Sequence, residues 1–351
     1  MEMNDLLHAA VDSGASDILL AAGAPPMFRI AGDLQPANLE DLTPKTLSAL
    51  CTNLLSEDQQ TELEQNQDVD FSMAIPRLGR FRFNIHFQKG SHAAAIRYIA
   101  NDIPTFEQLN LPAVFEDLTK LTSGLVLLTG QTGSGKTTTL AAMIDRINQR
   151  DPKHIITLED PIEFQFVHGR SLLEQREIGA DCPSFASGLR HILRQDPDVI
   201  LVGELRDLDT IRTALQAAET GHLVLATLHS SSAAGTIDRI IEVFPSDEQT
   251  QIRSHLAESL KAVITQQLVP GVERNSRVMA AEIMISNRAI QNSIREGTAH
   301  LIPGIISTSR RLGMQTMEQA LKELVLNGFA MPEVVDECLQ QELTSSTAAL
   351  L

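Results

Sequence analysis

The 351-residue sequence has no tryptophan, a single tyrosine and only 4% aromatic residues, so its cores must be built mainly from Leu, Ile, Val and Ala. Its three cysteines, Cys51, Cys182 and Cys338, form neither a C-x-x-C pair nor an even framework. That excludes a disulfide scaffold, argues against structural zinc and favours a reducing cytosol. No apolar run reaches the about eighteen residues needed to cross a bilayer. The opening "MEMNDLLHAA" carries acid where a signal peptide needs base, so a cytoplasmic location is expected. Positive charge is also scarce, with 28 Lys and Arg against 45 Asp and Glu and a net charge of −17. Nucleic-acid binders usually present a basic face, so no nucleic-acid partner is expected. What remains, 43% hydrophobic and 21% charged, is the balance of a folded soluble chain long enough for two domains.

Residues 1–100 read as a small α/β unit. "NDLLHAAVDSGASD" has helical apolar spacing, and "DILLAAGAPPMFRIAGDL" predicts two strands around a Gly-Ala-Pro-Pro turn. "TPKTLSALCTNLLSEDQQTELEQN" predicts helices after a Thr-Pro start. Phe81, Phe83, Ile85 and Phe87 alternate with Arg82, Asn84 and His86, the period of a half-buried strand. The polar stretch 101–113, with two prolines, is expected to be a linker. From residue 114 to 351, apolar strands alternate with helices, which implies a mainly parallel sheet covered by helices. Beyond about residue 285 the pattern is helical, and 341–351 reads as a frayed tail.

The strongest signal is "GQTGSGKTTTL", 130–140, which matches G-x-x-x-x-G-K-[ST] between a predicted strand and a predicted helix. A chain of this length would match by chance roughly once in a hundred, before the strand–helix context is counted. Small residues let backbone N–H groups wrap phosphates, and the helix N-terminus adds a favourable dipole. The nucleotide-binding candidates are Gly130, Thr132, Gly133, Ser134, Gly135, Lys136, Thr137 and Thr138. Lys136 suits the β- and γ-phosphates of ATP, and the Thr137 hydroxyl suits Mg²⁺.

Ligands of open α/β sheets sit at the carboxyl ends of the strands. "IITL" ends in Glu159-Asp160, "VILV" in Gly203-Glu204 and "LVLAT" near His229. If these strands adjoin the loop, Glu204 falls beside Mg²⁺ and the γ-phosphate. "LEDPIEF", 158–164, places Glu163 past a proline bend, where a carboxylate could hold the attacking water. Glu159 and Asp160 either serve the site or cap a helix beginning at Pro161. His222 and His229 bracket one strand and are candidates for γ-phosphate sensing.

These motifs, in this order, resemble the secretion ATPases and, within them, the type IV pilus retraction motors. "GASDILLAAGAPPMFRIAGDL" is similar to that family's opening, "GQTGSGKTTTLAAMID" to its Walker A, and "IITLEDPIEF" to its Asp box. "DPDVILVGELRD" resembles its Walker B and "TGHLVLATLHSSSAAGTIDRIIEVFP" its His box. "AIQNSIREGTAHLIPGIIS" with "GMQTMEQAL" resembles its C-terminal region. The resemblance implies a PAS-like N-terminal domain, a RecA-like ATPase domain with a helical C-terminal region, and a homohexamer. It implies Glu163 as catalytic carboxylate, Glu204 as Walker B glutamate, and Arg82 and Arg97 reaching a neighbouring subunit's nucleotide. Arg194, Arg239 and Arg277 are implied as further conformational or phosphate contacts. The implied partners are an inner-membrane platform protein and, indirectly, pilin, with membrane association only through partners. Two positions depart from the family pattern: Leu19 replaces a histidine and Gln291 an arginine, the latter in a segment linked to retraction rather than hydrolysis.

Assembly and type II secretion ATPases usually add an N-terminal domain and a four-cysteine zinc element, which this sequence does not show. An accessory retraction paralogue stays open. A RecA-like nucleic-acid translocase is disfavoured by the acidic balance and the lack of an aromatic-basic stripe. A P-loop kinase is disfavoured because no acceptor pocket or lid is signalled.

Overall fold

The computed structural model describes residues 2–30, 32–76, 78–99, 103–272 and 276–338; the tail expected at 341–351 lies outside the described residues. The chain divides into two compact units, residues 1–102 with 163–165, and residues 103–162 with 166–351.

The first unit runs α1 (Met3–Asp12), β1 (Ala15–Leu20), β2 (Met27–Ile30), β3 (Asp33–Pro36), α2 (Pro44–Thr52), α3 (Glu57–Asn66), β4 (Asp68–Ile75), β5 (Gly79–Gln88) and β6 (Ser91–Ile99). Local chemistry sets the helix starts. Thr43 caps α2 with Pro44 in its first turn, and Ser56 and Gln59 form a capping box on α3. Among the described residues the sheet order is β3-β2-β1-β6-β5-β4. Phe81, Phe83 and Ile85 are fully buried with Leu6, Leu7, Leu47 and Cys51. The alternation fails at Phe87, which is 40% exposed and lies against the His92 ring at the hairpin end of β5. Burial pushes the Cys51 thiol up to about 12.

The second unit comprises α4 (Val114–Leu118), β7 (Gly124–Thr129), α5 (Lys136–Arg150), β8 (His154–Glu159), β9 (Leu172–Glu177), α6 (Phe185–Ile192), β10 (Val199–Val202), α7 (Leu208–Glu219), β11 (Leu223–Leu228), α8 (Ala233–Glu242), α9 (Gln249–Ser259), β12 (Leu260–Pro270), β13 (Arg277–Ile285), α10 (Arg288–Glu296), α11 (Ile302–Thr308) and α12 (Met317–Leu326). Its sheet order is β13-β12-β7-β11-β10-β8-β9, parallel except for β13. Both faces are covered, so the central strands are apolar throughout. Leu125 and Leu127 of β7 face one core cluster, and Val126 and Leu128 face the other. The proline-bearing stretch from residue 103 packs with this unit, because Phe106 is buried beside Phe115 and Leu118. The helical character expected beyond about 285 is found in α10 to α12. Gln291 lies half-buried on α10.

One expectation fails locally. No helix follows Pro161: residues 161–171 form a loop that leads into the edge strand β9. Glu159 and Asp160 therefore cap no helix. No described helix is long and apolar enough to cross a membrane.

Candidate nucleotide site

The phosphate loop joins β7 to α5. Gly135 takes a left-handed φ of 87° as the N-cap of α5, which a side chain would strain. Gly130 has φ 139°, and a Cβ there would lie 2.3 Å from the Gln266 backbone carbonyl oxygen and 2.6 Å from Ser134 Oγ. Gly130→Ala should therefore cost about 2–3 kcal/mol, read as a fall in Tm of roughly 5–10 °C. An unchanged melting curve would refute the claimed contact. Ser134 Oγ is buried and has no hydrogen-bond partner among the described residues. Lys136 is buried, and its Nζ donates to the carbonyl oxygens of Gly130 and Gln131, each at 2.9 Å. A cleft of about 520 Å³ opens over the loop, lined also by Ser231, Ser232, Gln266, Arg277, Glu282 and Cys338.

The acids gather at the carboxyl edge of the sheet, in an order the sequence did not predict. β11 lies between β7 and β10, so Glu204 does not adjoin the loop strand. It sits two strand spacings away, about 10 Å. His229, which follows β11, fills the intervening position. Its Nε2 lies 3.3 Å from Glu204 Oε1, and Arg206 Nε donates to Glu204 Oε2 at 2.7 Å. Arg206 Nη1 also lies 4.0 Å from Asp160 Oδ2, linking the ends of β8 and β10. Arg239 Nη1 donates to the His229 carbonyl oxygen at 2.8 Å. Glu159 is 6% exposed, and its Oε1 accepts from Thr157 Oγ1 at 2.7 Å and Gln175 Nε2 at 3.1 Å. Such a satisfied buried carboxylate holds the strand end in place.

Glu163 lies exposed in the loop, between two pinned neighbours. Ile162 N donates to Glu177 Oε2 at 3.1 Å, and Phe166 N to Gln175 Oε1 at 3.0 Å. Gln175 and Glu177 carry no motif that would single them out. Their strand, "LLEQRE", is too polar to stand out as one. Asn148, fully buried on the last full turn of α5, was also missed. Its side chain donates to the Val167 carbonyl at 2.8 Å and accepts from Gly169 N at 2.9 Å, which ties the loop helix to the segment that follows Glu163. A buried amide lying far along a helix from its motif carries no sequence signal of its own.

Two residues expected near the γ-phosphate lie at the other edge of this chain's sheet. His222 precedes β11, so it lies at the amino edge of a parallel sheet, opposite the phosphate loop. At about 3.3 Å per residue, the two histidines stand roughly 20 Å apart. His222 Nδ1 instead meets the Ala217 carbonyl at 2.9 Å and Thr220 Oγ1 at 3.2 Å, closing the end of α7. Arg194, between α6 and β10, is at that amino edge too, with Nη1 donating to the Arg190 carbonyl. Arg277, at the start of β13, does line the cleft. Arg82 and Arg97 stand directly opposite each other on β5 and β6 of the first unit.

The donors present suit Mg²⁺, which is characteristically held by one or two protein oxygens plus substrate phosphates. The Thr137 hydroxyl on the first turn of α5 and the Glu204 carboxylate are such oxygens, and the loop's own Ser134 hydroxyl has no partner among the described residues.

Comparison with known proteins agrees with this architecture. The family model described as "Type II/IV secretion system protein" matches residues 2–344. The type IV pilus retraction ATPase PilT of Pseudomonas aeruginosa is 46% identical over 333 residues, covering 95% of this chain and 96% of its own length. The type IV pilus ATPase PilU of the same organism is 38% identical over 328 residues, covering 93% and 86%. A crystal structure of the pilus retraction motor PilT with bound ADP superposes with a TM-score of 0.90 at 46% identity, covering 96% of both chains. With a RecA-like ATPase domain behind its phosphate loop, a smaller N-terminal α/β unit and a helical C-terminal region, this chain belongs to the type II/IV secretion system protein family.

Proposed function

We propose that this chain is the ATPase subunit of a type IV pilus retraction motor. It would act as a homohexamer at the cytoplasmic face of the inner membrane, on a membrane platform protein and only indirectly on pilin, without nucleic acid. The observation that carries the ATPase part of this reading is the opposition of Lys136 in the phosphate loop to Glu204 across a gap of two strand spacings, with His229 and Arg206 held against that carboxylate. That gap suits a γ-phosphate and its hydration. The 46% identity to a retraction ATPase over almost the whole chain supports the direction of work.

In this reading, N–H groups of residues 130–138 and the Lys136 ammonium bind the phosphates. Magnesium, held through Thr137 and Glu204, would neutralise phosphate charge. Glu163 orients the water, His229 reports on the γ-phosphate beside Glu204, and Arg239 and Arg277 complete the phosphate surroundings. Arg82 and Arg97 come from the neighbouring subunit, so hydrolysis depends on ring assembly. Within the first unit, residues 1–100 play the part of the PAS-like domain.

The cellular test follows fluorescently labelled pili after deletion of the gene. Pili should extend but fail to retract, and the Lys136→Ala form should not restore retraction. Retraction at the normal frequency in the deletion strain would overturn the assignment. A partial loss of force would favour the accessory reading, for which the departures at Leu19 and Gln291 speak.

A further inference from the structure

The outer face of the N-terminal sheet carries one continuous cross-strand row: Ser72, Arg82, Arg97, Asp17 and Arg29, on β4, β5, β6, β1 and β2. Two arginines placed directly opposite each other repel, so this row needs counter-charge. Two acids supply it, very differently. Asp70 is 57% exposed and meets Arg82 Nη2 only at 3.8 Å. The Asp17 side chain is 17% exposed, and its Oδ1 accepts from Arg97 Nε at 2.9 Å. Its Oδ2 accepts from Ser16 Oγ at 2.8 Å and faces Arg29 Nε at 3.9 Å. Burial opposes the Asp17 charge, but the hydrogen bonds from Ser16 and Arg97 and the charges of Arg97 and Arg29 together outweigh it and hold the carboxyl below its usual range.

The backbone contributes too. A register shift between Ala15 and Asp17, of the kind a bulge makes, interrupts the pairing of β1 with β2, and past it Asp17 stands opposite Arg29 on one side and Arg97 on the other. Arg97 is 71% exposed, and Asp17 is its only ion-pair partner among the described residues. It is gripped through Nε, the inner nitrogen. A guanidinium held there presents its two Nη groups outward as a fork, which is the geometry for taking a phosphate.

We propose that Asp17 is a positioning residue for Arg97: from the buried end of the row it fixes the guanidinium by Nε, so that the Nη fork projects ready-oriented to the neighbouring subunit's nucleotide. This rests on the reading that Arg97 acts in trans. An arginine held in this way loses no rotamer freedom when a phosphate arrives. Freed from Asp17, it would also be pushed by Arg82 and Arg29.

The test compares kcat, KM, Tm and affinity for a fluorescent ATP analogue in assembled rings. Asp17→Asn should lower kcat about 10–100-fold, as for a misplaced catalytic group, with KM and analogue affinity unchanged and the protein still folded at the assay temperature. The Asp17→Asn/Arg97→Ala double variant should be no slower than Arg97→Ala alone. Mixing Asp17→Asn subunits with Lys136→Ala subunits should restore turnover at mixed interfaces, and mixing with Arg97→Ala subunits should not. Full activity of Asp17→Asn beside a crippled Arg97→Ala overturns the proposal, as do additive losses in the double variant. Full activity of Arg97→Ala overturns the trans reading itself, which is a distinct failure. If Asp17→Asn melts early, Asp17→Glu is read instead: it keeps the charge but shifts it by one methylene. It should slow kcat at unchanged affinity, and a wild-type kcat would overturn the proposal.

Discussion

Replacing Lys136 with alanine will abolish tight ATP binding while leaving the fold in place. The ammonium is buried and already bridges the Gly130 and Gln131 carbonyls, so it is preorganised at the mouth of the loop. A charge-assisted hydrogen bond in such a site contributes about 1.5–3 kcal/mol, which alone is roughly a 10–150-fold change in affinity. The variant also leaves two loop carbonyls without their donor, so the loop loses shape as well as charge. Titration with a fluorescent ATP analogue measures the outcome, with a thermal melt to confirm folding. Near-normal affinity would refute the phosphate-loop assignment.

Glu163→Gln should do the opposite: binding stays and turnover falls, by about 10²–10⁴-fold if the carboxylate acts on the attacking water. The substitution is nearly isosteric, and Glu163 is exposed. The loop is also held by its neighbours, through Ile162 to Glu177 and Phe166 to Gln175. The backbone should therefore stay where it is, and the change reads out chemistry. Phosphate release at saturating ATP is the measurement. If turnover persists, the water belongs to Glu204, and Glu204→Gln should then show the loss.

The difference between these two variants reflects what could be read from the chain alone. The phosphate loop was legible because its chemistry is local: strand, glycines, lysine and helix follow one another within twenty residues. The strand-end acids were legible as a class, since a parallel sheet sends its carboxyl ends to one edge. Their order was not. Nothing in "DVILVGE" says that β11 intrudes between it and the loop, and non-local pairing decides that. Bracketing a strand with His222 and His229 looked like proximity, whereas the two ends of a strand are the most distant points on it. Pro161 directly after two acids has the local chemistry of a capped helix start. In the fold, Gln175 and Glu177 of an edge strand hold that loop instead. The arginine row became visible only once strand register was known.

The cysteines have a use of their own in this setting. Cys51 is fully buried with its thiol raised to about 12, and burial also raises the thiol of Cys182, which is 7% exposed. Neither offers appreciable thiolate at neutral pH. Cys338 is only half-buried and borders the cleft above the phosphate loop. A thiol-directed fluorophore should therefore label Cys338 before the other two and sit at the cleft over the phosphate loop, where a change in its emission on adding ATP would report nucleotide entry.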